Sequence, residues 1–216
     1  MTRLGPVFAF LALFSGIALL LNILLNVDLR LGLAVMAASV VVAIAFTMRR
    51  VGTPARRAIL RTLAYGAVAG VLGTLAYDVA RTLLSMLDPS PYRPFEAIIR
   101  FGQLLLGSQA RDGGVILAGA LFHTLNGACF GVAFTFAFAR GGNISVPRVV
   151  LLGIAWGMFL EAFQMALYPN WLGIQYLGEF LTISALGHVA YGGTMGPVAR
   201  GLLRRSRMNG TFGVTT

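Results

Sequence analysis

Lysine is absent from the chain, so all 17 of its basic residues other than histidine are arginines, and only seven acidic residues oppose them, giving a formal net charge of +10. A single cysteine, Cys129, excludes an internal disulfide and leaves the redox compartment unread. Histidine occurs only at His123 and His188. With so few ligands there is no H-E-x-x-H or C-x-x-C spacing, and no Walker A sequence, G-x-S-x-G elbow or catalytic triad occurs either. The chain therefore reads as non-enzymatic, with no catalytic residues and no metal site. Charged residues make up 11% of the sequence against 57% hydrophobic, and the mean hydropathy of +0.81 excludes an ordinary soluble domain.

Long apolar runs take the place of charge. A membrane helix needs about 20 apolar residues, and six segments qualify: Leu4 to Asn26, Leu31 to Met48, Thr62 to Met86, Gly114 to Ala139, Val149 to Tyr168 and Gly173 to Ala199. The first lacks a small-residue cleavage site and reads as a retained helix. The expected fold is all-α and polytopic with six transmembrane helices. Residues 1–48 hold two of them, 49–61 form a basic cytoplasmic loop, 62–199 form a four-helix membrane core with an amphipathic insert at 92–107, and 200–216 form a basic tail that frays.

Arginines flank the apolar runs and form no basic domain, so they report topology and imply a lipid bilayer rather than nucleic acid as partner. Arg49, Arg50, Arg56, Arg57, Arg61, Arg140, Arg148, Arg200, Arg204, Arg205 and Arg207 fall on one side. On the other, Arg30, Arg93, Arg100 and Arg111 are balanced by Asp28, Asp88, Glu96 and Asp112. The arginine-rich side should be cytoplasmic, with both termini inside. Pro147 fits the first turn of span five, Pro169 marks where that span should stop, and Tyr168 and Trp171 fit an interfacial belt there. In the longest external loop, Tyr92 to Gly107, Glu96, Arg100 and Gln103 share one helical face and Ile98, Ile99, Leu105 and Leu106 another. That pattern predicts a short amphipathic helix, either on the membrane surface or packed on the bundle as a lid.

The last four spans read as two copies of one hairpin. His123, Gly127 and Gly131 return as His188, Gly192 and Gly196, and Gly70 precedes Asp78 by the interval at which Gly153 precedes Glu161. The first copy exceeds the second by about the length of the amphipathic insert. Both start inside, which implies a parallel repeat about an axis along the membrane normal. Gly66, Gly70, Gly73, Tyr77 and Arg81 form one stripe, and Gly153, Gly157, Glu161, Gln164 and Tyr168 another. Small residues allow helices to approach closely in lipid, and polar side chains bond across the contact, so these faces should point inward.

The runs GAVAGVLGTLAYDVARTLLSMLDPSPYRP, LFHTLNGACFG, GIAWGMFLEAFQMALYP and GHVAYGGTMG resemble the YagU-like bacterial inner-membrane proteins, of unknown function, over about residues 61–205. The resemblance implies a multi-pass protein of the bacterial inner membrane, and the namesake is associated with acid resistance. It also leads one to expect an acidic residue close to the last histidine. The chain departs from this, because Glu179 lies nine positions before His188 and on the opposite helical face.

Ionisable groups inside a membrane are functional candidates by default. Here they are Asp78, Arg81, His123, Glu161, Glu179 and His188, with Gln164 beside them. Asp78 and Arg81 are spaced for an intrahelical ion pair, with snorkelling of Arg81 as the alternative. Asp78 and His123 each lie about 13 Å from the external end of their helices and could touch. The histidines admit three readings: an interhelical hydrogen bond that fixes packing, a proton relay beside an interior carboxylate, or axial ligation of haem b between glycine-faced helices. The function that follows is passage of protons or a small solute through a polar interior. The alternatives are an accessory subunit whose glycine faces dock partner subunits or a second copy, and a bis-histidine electron carrier.

Overall fold

The computed structural model describes residues 4–90, 93–139, 144–174 and 177–211. Arg140 and Tyr92 lie outside them. The described residues form helices only: α1 (Gly5–Leu11), α2 (Phe14–Leu25), α3 (Leu29–Arg50), α4 (Thr53–Leu87), α5 (Glu96–Leu106), α6 (Asp112–Phe134) extended by a π turn (Thr135–Ala139), α7 (Val146–Leu172) and α8 (Leu177–Thr211). Four of these, α3, α4, α6 with its π turn, and α7, are long and apolar enough to cross a membrane, and α1 with α2 make a fifth if counted as one span. The 35-residue α8 is not among them. Its apolar residues are interrupted by Glu179, Thr182, Ser184, His188 and a run of glycines.

The first span is broken rather than continuous, with α1 and α2 meeting at 47°. At the break the amide of Leu13 bonds the carbonyl of Phe10, three residues back, so the ladder tightens and turns. Tertiary packing rewards the turn: Phe8 stacks on Phe136 of the π turn at 5.1 Å, and Gly16 faces the ring of Phe130. The expected basic loop at 49–61 is helical except at Val51 and Gly52, because Thr53-Pro54 starts α4 with proline in its first turn. Pro169 does not end α7. The helix runs on to Leu172 and stops at Gly173, which takes the left-handed conformation (φ 62°) while the amide of Ile174 closes on the Pro169 carbonyl. The tail is helical to Thr211 rather than frayed from Arg200.

Glycine decides the packing. Gly70 of α4 lies against Gly127 and Gly131 of α6, and Gly66 against Gly131 and Val132; in α7, Gly153 meets Gly192 and Gly196 of α8, and Gly157 meets the backbone of His188. A methyl group on Gly66, Gly70, Gly131, Gly153, Gly157, Gly192 or Gly196 would overlap backbone atoms, and one on Gly127 would overlap the Thr74 side chain. The α4 helix also packs on α8, through Gly73 on Tyr191 and Gly187 on Tyr77. The row therefore runs α6, α4, α8, α7, and α6 and α7 stand apart across the interior. The α5 helix packs as a lid. Gly102 seats on Val115, Ile98 on Gly119, and Phe101, 3% exposed, meets Phe122 and Trp171. Only Leu29 and Gly32 of α3 are buried, which places it at the periphery.

Candidate functional site: a polar cavity between two carboxylate–histidine pairs

A cavity of about 90 Å³ lies between α4, α6, α7 and α8 beneath α5. Both histidines line it, together with Arg81, Asn126, Gln164 and the rings of Tyr77 and Tyr191; Arg93 and Glu96 stand at the α5 end. The volume is enough for several water molecules beside polar partners.

On one side, Nε2 of His123 lies 3.0 Å from Oδ1 of Asp78. An ionised carboxylate only accepts, so this nitrogen carries the hydrogen and Nδ1 is left to exchange a proton. The side chains keep 20% and 31% exposure. On the other side, Nδ1 of His188 lies 2.8 Å from Oε2 of Glu161 and 2.9 Å from the carbonyl of Ser184. Both partners accept, so Nδ1 is protonated. The Ser184 hydroxyl donates to the same carboxylate oxygen at 2.7 Å, and Nε2 of His188 lies 2.9 Å from the Gln164 amide nitrogen, which donates to it. Glu161 is fully buried, and its Oε1 has no hydrogen-bond partner among the described residues. In both pairs the imidazole forms the wall and the carboxylate stands behind it.

Tyr77 stands between the imidazoles, its ring centroid 5.7 Å from His123 and 4.8 Å from His188. Its neighbour by spacing, Arg81, is not the ion-pair partner of Asp78 that the three-residue interval suggests, nor does it snorkel. Asp78 is taken by His123, and the Arg81 guanidinium lies over Tyr77 at 4.8 Å and Phe95 at 5.2 Å, with the residue 5% exposed. Its Nε has no hydrogen-bond partner among the described residues.

Glu161, rather than Glu179, supplies the acid for the last histidine. Glu179 lies apart, with Asp88, in an open groove between the ends of α4 and α8. Two residues not singled out in the sequence join the site: Ser184, one turn before His188, and Asn126, 7% exposed, whose Oδ1 has no partner among the described residues. A Ser or Asn four or three residues from an interior histidine is the signal that could have found them. Asn126 also lines a second, mostly apolar cavity of about 170 Å³ between α2, α6 and α7, which shares Phe130, Leu160, Gln164 and Tyr168 with the first.

Toward the far end of the bundle the interior is closed. Tyr191 donates to the Gly127 carbonyl at 2.9 Å, and Phe134, Met195 and Ala199 are fully buried beyond it. Among the described residues no three His, Cys, Asp or Glu side chains gather as a metal site. Each Nε2 is hydrogen-bonded to a side chain, and Tyr77 stands between the two rings. Compared with protein-family models, curated proteins and solved structures, the chain gives no match.

Proposed function

We propose that the protein is a non-enzymatic membrane protein that passes protons or a small solute through the polar interior of α4, α6, α7 and α8. The observation that carries this reading is the placement of two carboxylate–histidine pairs on opposite walls of one cavity, with Tyr77 between them. A second proton taken up by either imidazole makes an ion pair with its carboxylate and can pass on to that carboxylate, leaving both groups neutral. If His188 takes a second proton, the Gln164 amide turns its carbonyl to Nε2, so the amide follows the charge. The closed half beyond Tyr191 makes the conduit a gated one, filled from the α5 end.

In this reading α8 is the sixth span, its polar residues turned to α4 and α7, and the α4–α6 and α7–α8 hairpins are two copies of one unit. Support for the repeat comes from equivalent contacts: Gly70 on Gly127 and Gly153 on Gly192, Asp78 with His123 and Glu161 with His188. The arginine asymmetry supports a bacterial inner membrane protein with both termini cytoplasmic, and the quoted runs support kinship with the YagU-like proteins. The conduit is favoured over the accessory-subunit reading by the occupation of Gly66, Gly70, Gly153 and Gly157 by helices of the same chain.

The test is proton flux in liposomes from pH 5 to 8 for wild type and for Asp78→Asn, His123→Gln, Glu161→Gln and His188→Gln, alongside thermal melts. Flux should be lost in the His123 and His188 variants while they remain folded. Wild-type flux no higher than that of empty liposomes would end the proton reading.

A further inference from the structure

The polar cavity and the apolar one beside it meet at Asn126, Phe130, Leu160, Gln164 and Tyr168. Both polar side chains at this junction offer an acceptor. Asn126 is buried and its Oδ1 has no partner among the described residues, and Gln164 gives its amide nitrogen to His188, which leaves its carbonyl oxygen. The charges point the same way. Asp78, Glu161 and Glu96 stand against Arg81 and Arg93, so with both histidines neutral three carboxylates face two guanidinium groups and one positive charge is missing. The other titratable groups on the wall are the uncharged hydroxyls of Tyr77, Tyr168 and Tyr191. Arg81 lines the polar cavity only, over Tyr77 and Phe95, whereas the junction carries the rings of Phe130 and Tyr168, and aromatic faces attract cations. The apolar cavity lies between α2 and α7, which stand apart, and its wall residues Phe159 and Phe163 are half-exposed, so it opens to lipid in the proposed membrane placement.

We propose that the junction binds a primary alkylammonium ion in exchange for a proton, with its N–H groups donating to Asn126 Oδ1 and the Gln164 carbonyl and its chain laid in the apolar cavity. This deepens the proposed function by naming the solute class, and it rests on that function only for transport. An ammonium brings donors and one positive charge together, which neither an alcohol nor a carboxylate does. The exchange follows from Gln164. When His188 takes a second proton, the missing charge is supplied, and the Gln164 amide turns its carbonyl to Nε2 and its NH2 group to the junction, where it meets the ammonium donor to donor. The bound ion and the second proton therefore exclude one another. A primary amine, like the lysine side chain with its pKa of about 10.4, stays cationic at neutral and acid pH, so any pH dependence belongs to the protein.

The experiment titrates the full-length protein in phosphatidylcholine nanodiscs, by calorimetry with empty nanodiscs subtracted, with propyl-, butyl- and hexylammonium. Hexanol, hexanoate and hexyltrimethylammonium are the controls. Affinity should rise by about fourfold per added methylene as the chain fills the apolar cavity. Hexanol, without the charge, and hexyltrimethylammonium, without the N–H donors, should each bind about tenfold more weakly than hexylammonium or worse, and hexanoate should not bind. Lowering the pH from 8 to 5 should weaken hexylammonium by about tenfold or more as the histidines take up protons. Asn126→Leu should weaken it by about tenfold or more at pH 8 while its melting temperature holds. Should that variant not fold, the contrast among the four hexyl compounds on wild type carries the test. A primary ammonium also heads aminophospholipids, and loss of hexylammonium binding when phosphatidylethanolamine is added to the nanodisc identifies the lipid as occupant, whereas unchanged binding identifies a free amine; both support the site. Hexylammonium bound no better than hexanol, an affinity flat with chain length or with pH, or full binding by folded Asn126→Leu overturns the proposal. Flux is measured separately: proton flux without ammonium binding refutes this site alone, and ammonium binding without flux refutes the transport reading alone.

Discussion

The side chains of the two acid–histidine pairs differ chiefly in burial, and their mutational costs should differ accordingly. Glu161 is wholly enclosed and holds both His188 and Ser184, so Glu161→Ala takes the acceptor from the Ser184 hydroxyl, leaves His188 Nδ1 with the Ser184 carbonyl alone and opens a buried void, and should destabilise by about 3 kcal/mol or more. Asp78 keeps nearly a third of its side chain exposed, so Asp78→Ala should cost about 1 kcal/mol or less. Thermal melts in one detergent rank the two; equal losses would show that burial does not separate the pairs. Outside the membrane segments, Asp28 caps α3 by accepting from the Leu31 amide, and its hydrogen bond to Arg30, followed by that amide, holds its carboxyl down at about 2. A depressed carboxyl lends stability above its unfolded value, near 3.9, and that contribution is lost as pH falls through about 2. Carboxyl NMR should place the Asp28 midpoint near 2 in wild type and higher in Arg30→Gln. At this scale the contact of Asp78 with His123 is legible from their matched depth. The partner of His188 is legible only through the repeat that matches Glu161 to Asp78, since α8 itself offers no acid but Glu179 on the opposite face.

Between elements, backbone contact replaces side-chain interdigitation, and a methyl group becomes a probe of it. At Gly70 an added Cβ would meet the carbonyl of Gly127 and lie 2.8 Å from the Cα of Ala128, atoms that cannot rotate away. At Gly113 the same Cβ meets nothing within 4 Å. Gly70→Ala should therefore separate α4 from α6 and destabilise by about 2 kcal/mol or more, while Gly113→Ala should be neutral or stabilise α6 by up to about 1 kcal/mol. Unfolding in denaturing detergent measures both, and a harmless Gly70→Ala would mean the helices are not in contact there. The spacing of small residues makes this packing face readable in advance. Helix ends are less readable: nothing in Ala12-Leu13 announces the break between α1 and α2, which comes from Phe8 stacking on Phe136 across the chain. Pro169 points to an end that the left-handed Gly173 places four residues later.

For the whole molecule, the ends of the helices sort the arginines. Arg49 and Arg50 close α3, Arg56, Arg57 and Arg61 lie in the first turns of α4, Arg148 begins α7, and Arg200 in the late part of α8 donates to the Ile144 carbonyl just before α7. That bond ties the late part of α8 to the start of α7, two of the arginine-bearing regions, while Asp28, Glu96 and Asp112 start α3, α5 and α6 at the opposite ends. Positive charge is retained on the cytoplasmic side during insertion, so the bond-linked, arginine-rich end should face inward. A cysteine at position 90, between α4 and α5, should react with an impermeant maleimide on intact cells, and one at position 54, in the first turn of α4, only after permeabilisation. The native Cys129 is buried and should stay unlabelled in both, so no cysteine-free background is needed. Labelling of position 54 on intact cells, with position 90 protected, would reverse the orientation and with it the direction from which the cavity beneath α5 is filled.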